Sequence, residues 1–336
     1  MIIVITGCGL VSPLASSLDE LAGAIASGRT AAGKRAEGFE ERAQVPSRRA
    51  RRLSRLALMS VGAARSALAD AGVQVGDRTA VVLATGFGSL GTTVEFMRGY
   101  QNDAPEPALF PTSVLNEPAA QMAIELGARG PNLTVLQHEA SFHAAVLAAA
   151  DLLAERHADV VLLGGCDEWS DELREAYAKL GLLSKSGHMR PLDRRRDGFV
   201  GGEAAACFVL ERASEREARV RAAIRAAAPG DALDYVALDA HGGVAFDRDA
   251  ISRLPQRNLP AGSILAQTGE FATSAALRLA QALLAVERGL RAGTVGFDEA
   301  DPDAVAPGLL RAPKTAPTRH VLLPCAGAAP LLIHRY

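Results

Sequence analysis

The chain has 336 residues, of which 49% are hydrophobic. That composition supplies a large buried core and excludes an intrinsically disordered chain. With 36 basic and 38 acidic residues the formal net charge is −2. There is no basic excess, so nucleic acid is not an expected partner.

The cysteines are Cys8, Cys166, Cys207 and Cys325, and none forms a CxxC pair. Their spacing predicts neither a zinc site nor a disulfide framework, and we expect no metal and no cofactor. The N-terminus enters an apolar run at once, without the basic stretch of a signal peptide. No apolar run reaches the roughly 18 residues that a membrane span needs. These features favour the cytoplasm.

Apolar runs that end in glycine alternate with alanine-rich helical stretches along the first half of the chain. The helix at 53–72 has apolar residues at helical spacing and Gly72 as its C-terminal stop. The predicted elements in chain order are a strand at 1–9, helices at 18–28 and 53–72, a strand at 79–88, a helix at 118–127, a strand at 131–137 and a helix at 140–157.

The second half continues the alternation. Its first strand has no polar alternation, which indicates that both of its faces are covered. The predicted elements are strands at 158–165, 203–212 and 234–243, a helix at 274–289, and strands at 319–327 and 329–336. This order predicts an α/β protein with helices on both sheet faces. Segments 133–156 and 263–289 repeat a strand, a polar elbow and an Ala-rich helix, which suggests an internal duplication.

Five motifs occur in a recognisable order: ITGCGLVSPLASSLDELAGAIASGRTA, FPTSVLNEPAAQMAIELGARGPNLTV, ADVVLLGGCDE, RPLDRRRDGFVGGEAAACFVLER and DYVALDAHGG. Together they resemble the β-ketoacyl carrier-protein synthases over nearly the whole chain. The resemblance implies the thiolase fold, a five-layer αβαβα sandwich of two duplicated halves. We expect an N-terminal half at 1–212 and a C-terminal half at 213–336. Few residues separate Leu210 from His241, so the second half is expected to be trimmed.

The resemblance also implies where catalytic residues would lie. A ketosynthase uses a cysteine thiolate at a helix N-terminus, two histidines and a lysine. In this sequence the nucleophile position is Glu139, the first histidine is His241, the second histidine is replaced by Glu270, and the lysine position is Leu265. A carboxylate cannot carry an acyl chain as a thiolate does. We therefore expect no catalysis by this chain alone.

The resemblance favours a chain-length factor, a subunit that lacks the active cysteine and pairs with a catalytic ketosynthase acting on acyl carrier protein. Polyketide, polyene or fatty-acyl elongation, including aryl-polyene pathways, is the implied setting. The two subunits of such complexes share an acyl tunnel at their interface. The expected tunnel or interface residues here are Leu109, Phe110, Val114, Glu117, Glu139 and Phe142.

Two other functions stay open. Glu139, Glu270 and His241 suffice for acid–base chemistry in an independent homodimeric enzyme, if they converge as their family counterparts do. Alternatively, the chain is a scaffold that binds carrier protein through a basic cluster, or the cluster is only a solvated helix start. Its members are Arg48, Arg49, Arg51, Arg52 and Arg55. Cys325 lies where the family has its gating loop. It is either a core cysteine or a displaced nucleophile.

Overall fold

The computed structural model describes residues 1–215, 220–304 and 306–336. In these residues the strands are β1 (Ile3–Val11), β2 (Thr79–Ala84), β3 (Asn132–Val135), β4 (Val160–Asp167), β5 (Ala204–Arg212), β6 (Ala222–Ala226), β7 (Tyr235–Ala237), β8 (Ala261–Gly262), β9 (Leu290–Arg291), β10 (Lys314–Thr315), β11 (His320–Leu323) and β12 (Leu331–His334). The α-helices are α1 (Leu18–Ser27), α2 (Phe39–Ala43), α3 (Ser47–Ala50), α4 (Arg55–Ala71), α5 (Leu90–Gln101), α6 (Glu117–Leu126), α7 (Ser141–Ala154), α8 (Asp171–Lys179), α9 (Val244–Ser252), α10 (Leu265–Thr268) and α11 (Ala275–Arg288).

Ten of these strands form one mixed sheet in the order β3-β2-β4-β5-β1-β6-β12-β11-β7-β8. Its two halves repeat one pattern, since β3-β2-β4-β5-β1 corresponds to β8-β7-β11-β12-β6. In each half the first three strands of that order run parallel, and the remaining neighbours run antiparallel. The halves join where β1 pairs antiparallel with β6. A duplicated unit accounts for this order, while a boundary between residues 212 and 213 stays a prediction.

Apolar clusters hold helices against both faces of the sheet. The largest cluster lies between the two halves and includes α7 and α11, with Phe142 packed against Phe208. Helices α4 and α6 cover the outer face of the first half, and α9 packs on the outer face of the second. The two halves of the sheet pack on opposite sides of α7 and α11. The layers are therefore helix, half-sheet, helix, half-sheet and helix, which confirms the predicted fold class. No helix in the described ranges combines the length and hydropathy that crossing a bilayer requires.

Glycines allow α4 to lie directly on β1. A Cβ added to Gly7 would lie 2.2 Å from the carbonyl oxygen of Ala67, and one added to Gly9 would lie 2.1 Å from that of Ala63. Both distances are far inside van der Waals contact, so a larger residue would push the helix off the strand. The helix begins where the Ser54 hydroxyl accepts a hydrogen bond from its first turn, as an N-cap does.

The two halves differ most in one connection. Between β1 and β2 the chain forms α1, α2, α3 and α4 over residues 12–78. The corresponding connection between β6 and β7 is residues 227–234, all of which are described, and it contains no helix. The second half is therefore trimmed as expected, because its connection lacks the helices that would cover the outer face of β6 and β12.

Candidate functional site

A small polar cavity of about 30 Å³ lies where α7, α11 and the loops after β7 and β11 meet. Such a volume holds only two or three water molecules, because one water needs roughly 10–15 Å³ of this kind of space. The lining residues come from both halves of the chain and are Glu139, Asp239, His241, Phe246, Asp249, Arg253, Glu270, Ala272, Ser274, Arg278, Cys325 and Ala326.

Glu139 lies on the elbow between β3 and α7. The preceding residue, His138, has the left-handed φ of 51°, which turns the chain sharply before the helix. The hydroxyl of Ser141 accepts from the Gln137 N–H at 2.7 Å and donates to the Thr85 carbonyl at 3.1 Å. These bonds hold the elbow against the end of β2, so Glu139 is fixed at the N-terminal end of α7.

His241 is held in the cavity wall by a buried carboxylate. Its backbone N–H and that of Gly242 donate to Asp247 Oδ1 at 2.9 and 3.0 Å, and the Leu192 N–H donates to Oδ2 at 2.6 Å. The imidazole ring of His241 contacts the ring of Phe246, with the two ring centroids 4.8 Å apart. Burial lowers the pKa of His241 to about 4. The imidazole is therefore neutral near pH 7.

Glu270 reaches the cavity from the loop between α10 and α11. Its backbone is tied to the Gly-rich segment after β4, since its N–H donates to the Val200 carbonyl and its carbonyl accepts from the Gly202 N–H, each at 2.9 Å. Burial, and then the charge of Glu139, raise the pKa of Glu270 well above its usual value. Burial and Asp239 also raise the pKa of Glu139, although Glu139 retains solvent contact. The two carboxyls therefore resist carrying two negative charges together.

Two arginines complete the charge balance of the cavity. Arg253 Nη2 donates to Asp239 Oδ2 at 2.7 Å, and its other terminal nitrogen pairs with Asp249. Arg278, only 3% exposed, extends from α11 and donates to the carbonyls of Ala237 at 3.1 Å and Pro324 at 2.9 Å. Two guanidinium groups thus face four carboxyl groups.

Several polar atoms of this lining lack a hydrogen-bond partner among the described residues. They are His241 Nδ1, Glu270 Oε2, Arg253 Nε and Arg278 Nε. Buried polar groups are normally satisfied by protein or by ordered water. The lining is therefore built to hold water or a small polar group. Its donors and carboxyl groups can bind, position and exchange protons with such a group.

The structure brings together three of the four positions that the resemblance implied. Glu139, His241 and Glu270 line one cavity, whereas Leu265 lies outside it in an apolar cluster with Met189 and other residues. Sequence reasoning missed the two cavity arginines and Asp239. Arg278 carried a signal, because it is a basic residue on the buried, Ala-rich face of a predicted helix. Asp239 also carried one, because it lies two residues before His241 in the DYVALDAHGG motif, whereas Arg253 gave none.

The expected tunnel residues divide into two groups. Phe110 and Val114 are exposed, at 58% and 38%, and Leu109 is half-buried beside them. Phe142 is fully buried in the central cluster, and Glu117 is 2% exposed. The Ser54 hydroxyl donates to Glu117 at 2.6 Å, and the Ser89 hydroxyl donates at 3.3 Å. The positions of Glu117 and Phe142 inside the chain do not favour direct contact with a partner.

The basic cluster is also divided by the structure. Arg48 and Arg49 lie on α3 and Arg51 and Arg52 follow it, and all four are exposed. The expectation that Arg55 shares this surface is wrong. Its guanidinium turns inward and donates to the buried Glu203 carboxylate at 2.5 Å. A buried carboxylate requires such a partner, so it draws the first arginine of α4 away from the surface.

Cys325 lies at the edge of the cavity, on the loop after β11. Its thiol donates to the Glu139 carbonyl and to the Ala326 carbonyl, both at 3.2 Å. Burial raises its pKa to about 11, which disfavours the thiolate that a nucleophile requires. Among the described residues, no group of three or more His, Cys, Asp and Glu side chains is arranged to hold a metal ion.

Comparison with known proteins gives this geometry a context. The family model "Beta-ketoacyl synthase, N-terminal domain" matches residues 33–216. The chain is 25% identical over 253 residues to 3-oxoacyl-[acyl-carrier-protein] synthase 2 of Coxiella burnetii, covering 66% of this chain and 61% of that protein. It is 29% identical over 251 residues to 3-oxoacyl-[acyl-carrier-protein] synthase I, chloroplastic, of Arabidopsis thaliana, covering 62% of this chain and 51% of that protein. The chain thus spans little more than half the length of these curated relatives.

Solved structures share the fold over the whole chain. The ishigamide ketosynthase/chain length factor superposes with a TM-score of 0.86 at 21% identity, covering 100% of this chain and 99% of that one. A type II PKS acyl-carrier protein in complex with its ketosynthase bound to the hexaketide gives a TM-score of 0.84 at 17% identity, with the same coverage. At these identities the likeness establishes the fold.

Proposed function

The chain belongs to the β-ketoacyl synthase family, and from that premise we propose that it is a non-catalytic subunit of the chain-length-factor type. In this role it pairs with a catalytic ketosynthase, and the pair elongates polyketide, polyene or fatty-acyl chains on acyl carrier protein. This chain shapes the acyl tunnel at the interface. The observation that supports the proposal is the site itself, where Glu139, at the position that the resemblance gives to the nucleophile, lies beside further carboxyl groups.

The charge in the cavity opposes ketosynthase chemistry. Condensation passes through states in which negative charge develops on oxygen, and enzymes stabilise those states with aimed donors or positive charge. Here Glu139, Glu270, Asp239 and Asp249 surround the same space. A developing oxyanion would be repelled by any of these groups that is ionised.

Exposed apolar residues on the first half support the proposal that a partner subunit covers this surface. Helix α5 contributes no buried residue to this chain, although it carries Met97 and Tyr100, both exposed. Strand β3 is one of the two edges of the ten-stranded sheet, and its Leu133 and the following Leu136 are exposed. Exposed apolar side chains next to an unpaired sheet edge are characteristic of a surface that another chain covers.

The exposed arginines at Arg48, Arg49, Arg51 and Arg52 add a second surface of interest. In this proposal they dock the acidic carrier protein, since clustered exposed guanidinium groups steer acidic partners. The same surface would serve a carrier-protein scaffold that lacks a ketosynthase partner.

An independent homodimeric enzyme is the second candidate. The observation that favours it is the meeting of Glu139, Glu270 and neutral His241 in one cavity. Two carboxyls with raised pKa values beside a neutral imidazole are groups that can donate and accept protons. An acyl substrate would then react without a covalent thioester to this chain.

Co-expression with candidate ketosynthases tests the proposal. With a tag on this chain only, native mass spectrometry should detect a one-to-one heterodimer that extends acyl-carrier-protein substrates. Activity should survive Glu139→Gln, because the reacting thiolate belongs to the partner. Leu133→Asp should separate the subunits, whereas Leu180→Asp, an exposed leucine just after α8, should not.

The opposite result is equally clear. A stable homodimer that binds no ketosynthase, turns over an acyl substrate by itself and loses that activity in Glu139→Gln would establish the second candidate. A monomer that binds carrier protein but neither itself nor a ketosynthase would establish the scaffold.

A further inference from the structure

The connection that lacks a helix leaves a second and much larger pocket. It has a volume of about 630 Å³ and lies over the outer end of the second half of the sheet. Its walls are the β6–β7 connection, the segment after α9 and the β11–β12 hairpin. The lining residues are Ala227, Ala228, Pro229, Gly230, Asp231, Leu233, Arg253, Pro255, Gln256, Leu322, Pro324, Cys325, Ala328 and Pro330.

The internal repeat explains why this space exists. In the first half the connection from β1 to β2 includes α4, which packs on the outer face of β1, β4 and β5. The equivalent strands of the second half are β6, β11 and β12, and the described connection between β6 and β7 contains no helix to cover them. Leu322 of β11 points to this outer face, because its neighbours Val321 and Leu323 point into the central cluster.

A small molecule fits this space better than a helix does. Part of the same outer face carries polar side chains. Arg225 is exposed and pairs with Asp231 at 2.5 Å, and His320 stacks with His334 at a ring separation of 6.3 Å. An amphipathic helix would have to bury these groups at a cost in desolvation. The whole pocket, its polar end included, has a volume of about 630 Å³, within the roughly 300–1,000 Å³ of small-molecule sites.

The lining indicates an aliphatic ligand. Besides Asp231, Arg253, Gln256, Gly230 and Cys325, the described lining contains alanine, leucine and four proline residues but no aromatic side chain, so it offers no ring to stack upon. Prolines have restricted backbones and lose little freedom when a ligand is bound. A saturated or polyene chain in extended form matches walls of this type.

One end of the pocket is polar and is shared with the acidic cavity. Arg253 and Cys325 line both spaces. The charge of Arg253 is already matched by Asp239 and Asp249. A carboxylate head would therefore add negative charge beside an acidic cavity, whereas a neutral carbonyl would add none.

We propose that this pocket of the second half binds a neutral, aliphatic acyl group, with its ester-like carbonyl directed to Arg253 and its chain along the Leu322 wall. The site is separate from the apolar surface of α5 and β3. It does not depend on the partner subunit, because every wall belongs to this chain.

Binding of methyl decanoate to the purified chain, measured by ligand-observed NMR, tests this assignment. The ester should bind at least tenfold more tightly than decanoate at pH 8, since the two differ at the head group only. Ala228→Trp fills the pocket from one wall and Ala328→Trp fills it from another, and each should weaken the ester at least tenfold. Gln74→Trp places the same indole in a groove of the first half, and should leave binding unchanged.

Circular dichroism and thermal melting establish that each variant is folded before binding is compared. Ester binding that persists in both filled variants would overturn the proposal, as would equal affinity for ester and anion. Failure of the wild-type chain to bind the ester up to its solubility limit would overturn it too. A partner protein that cross-links to this wall and excludes the ester would instead identify the pocket as a protein interface.

Discussion

Replacing Glu270 by glutamine should change the pH dependence of stability in a defined way. The pKa of Glu270 is raised well above the usual 4.5 by burial and by Glu139. At pH values between 4.5 and the raised pKa of Glu270, the folded chain keeps a proton that the unfolded chain has released. The free energy of unfolding therefore falls as pH rises through this range. The slope for one proton is about 1.4 kcal/mol per pH unit. Glutamine releases no proton, so Glu270→Gln should lose this slope.

The expected result is that wild type and Glu270→Gln have similar stability below pH 4.5 and diverge above it, with the variant more stable. Urea denaturation at half-unit pH intervals measures the difference directly. Glu106→Gln, which removes an exposed carboxylate from a loop, is the control and should follow wild type. Parallel curves for wild type and Glu270→Gln would refute the reasoning, because they would mean that Glu270 titrates normally in the folded chain.

The remaining predictions concern packing, the loop at the site and thiol reactivity. Gly9→Ala should destabilise the chain by about 3 kcal/mol or more in denaturant titrations, because its Cβ would overlap the backbone of α4, which cannot move aside easily. The control is Gly23→Ala, whose new Cβ has no atom within 4 Å. It should stabilise α1 by about 0.5–1 kcal/mol. Asp247→Asn should cost about 1–3 kcal/mol, because the amide N–H₂ faces a backbone donor whichever way it is turned; an unchanged denaturation midpoint would contradict the hydrogen bonding described. Cys325 should resist iodoacetamide at pH 7.5 in the folded chain and react after denaturation, as peptide mass spectrometry would reveal; rapid labelling would contradict a pKa of about 11.

The α/β class with helices on both sheet faces could be predicted from local signals, whereas the five-layer thiolase fold was implied by the resemblance. The strand at 158–165 and the helix at 274–289 could be read from apolar runs and glycine stops, and both correspond to elements of the structure, β4 and α11. The convergence of Glu139, His241 and Glu270 was accessible only through the resemblance, since more than 100 residues separate the first from the others.

The parts that sequence reasoning missed depend on long-range contacts. Nothing near Arg55 predicts that Glu203 lies buried within reach of its guanidinium. Arg253 and Asp239 are separated by α9, and their ion pair exists because that helix folds back across β7. Charge partners of this kind are chosen by tertiary structure, so a basic run in a sequence does not establish a basic surface.

The pairing of β1 with β6 has a practical consequence for dividing the chain. Strand β1 is hydrogen-bonded on one side to β5 and on the other to β6, so it joins the two halves into one continuous sheet. Separating the halves between residues 212 and 213 would create two new unpaired edges where the native chain has none. Such edges are templates for aggregation. The two repeats therefore have to be expressed and purified as one piece, however clearly the strand order marks them as copies.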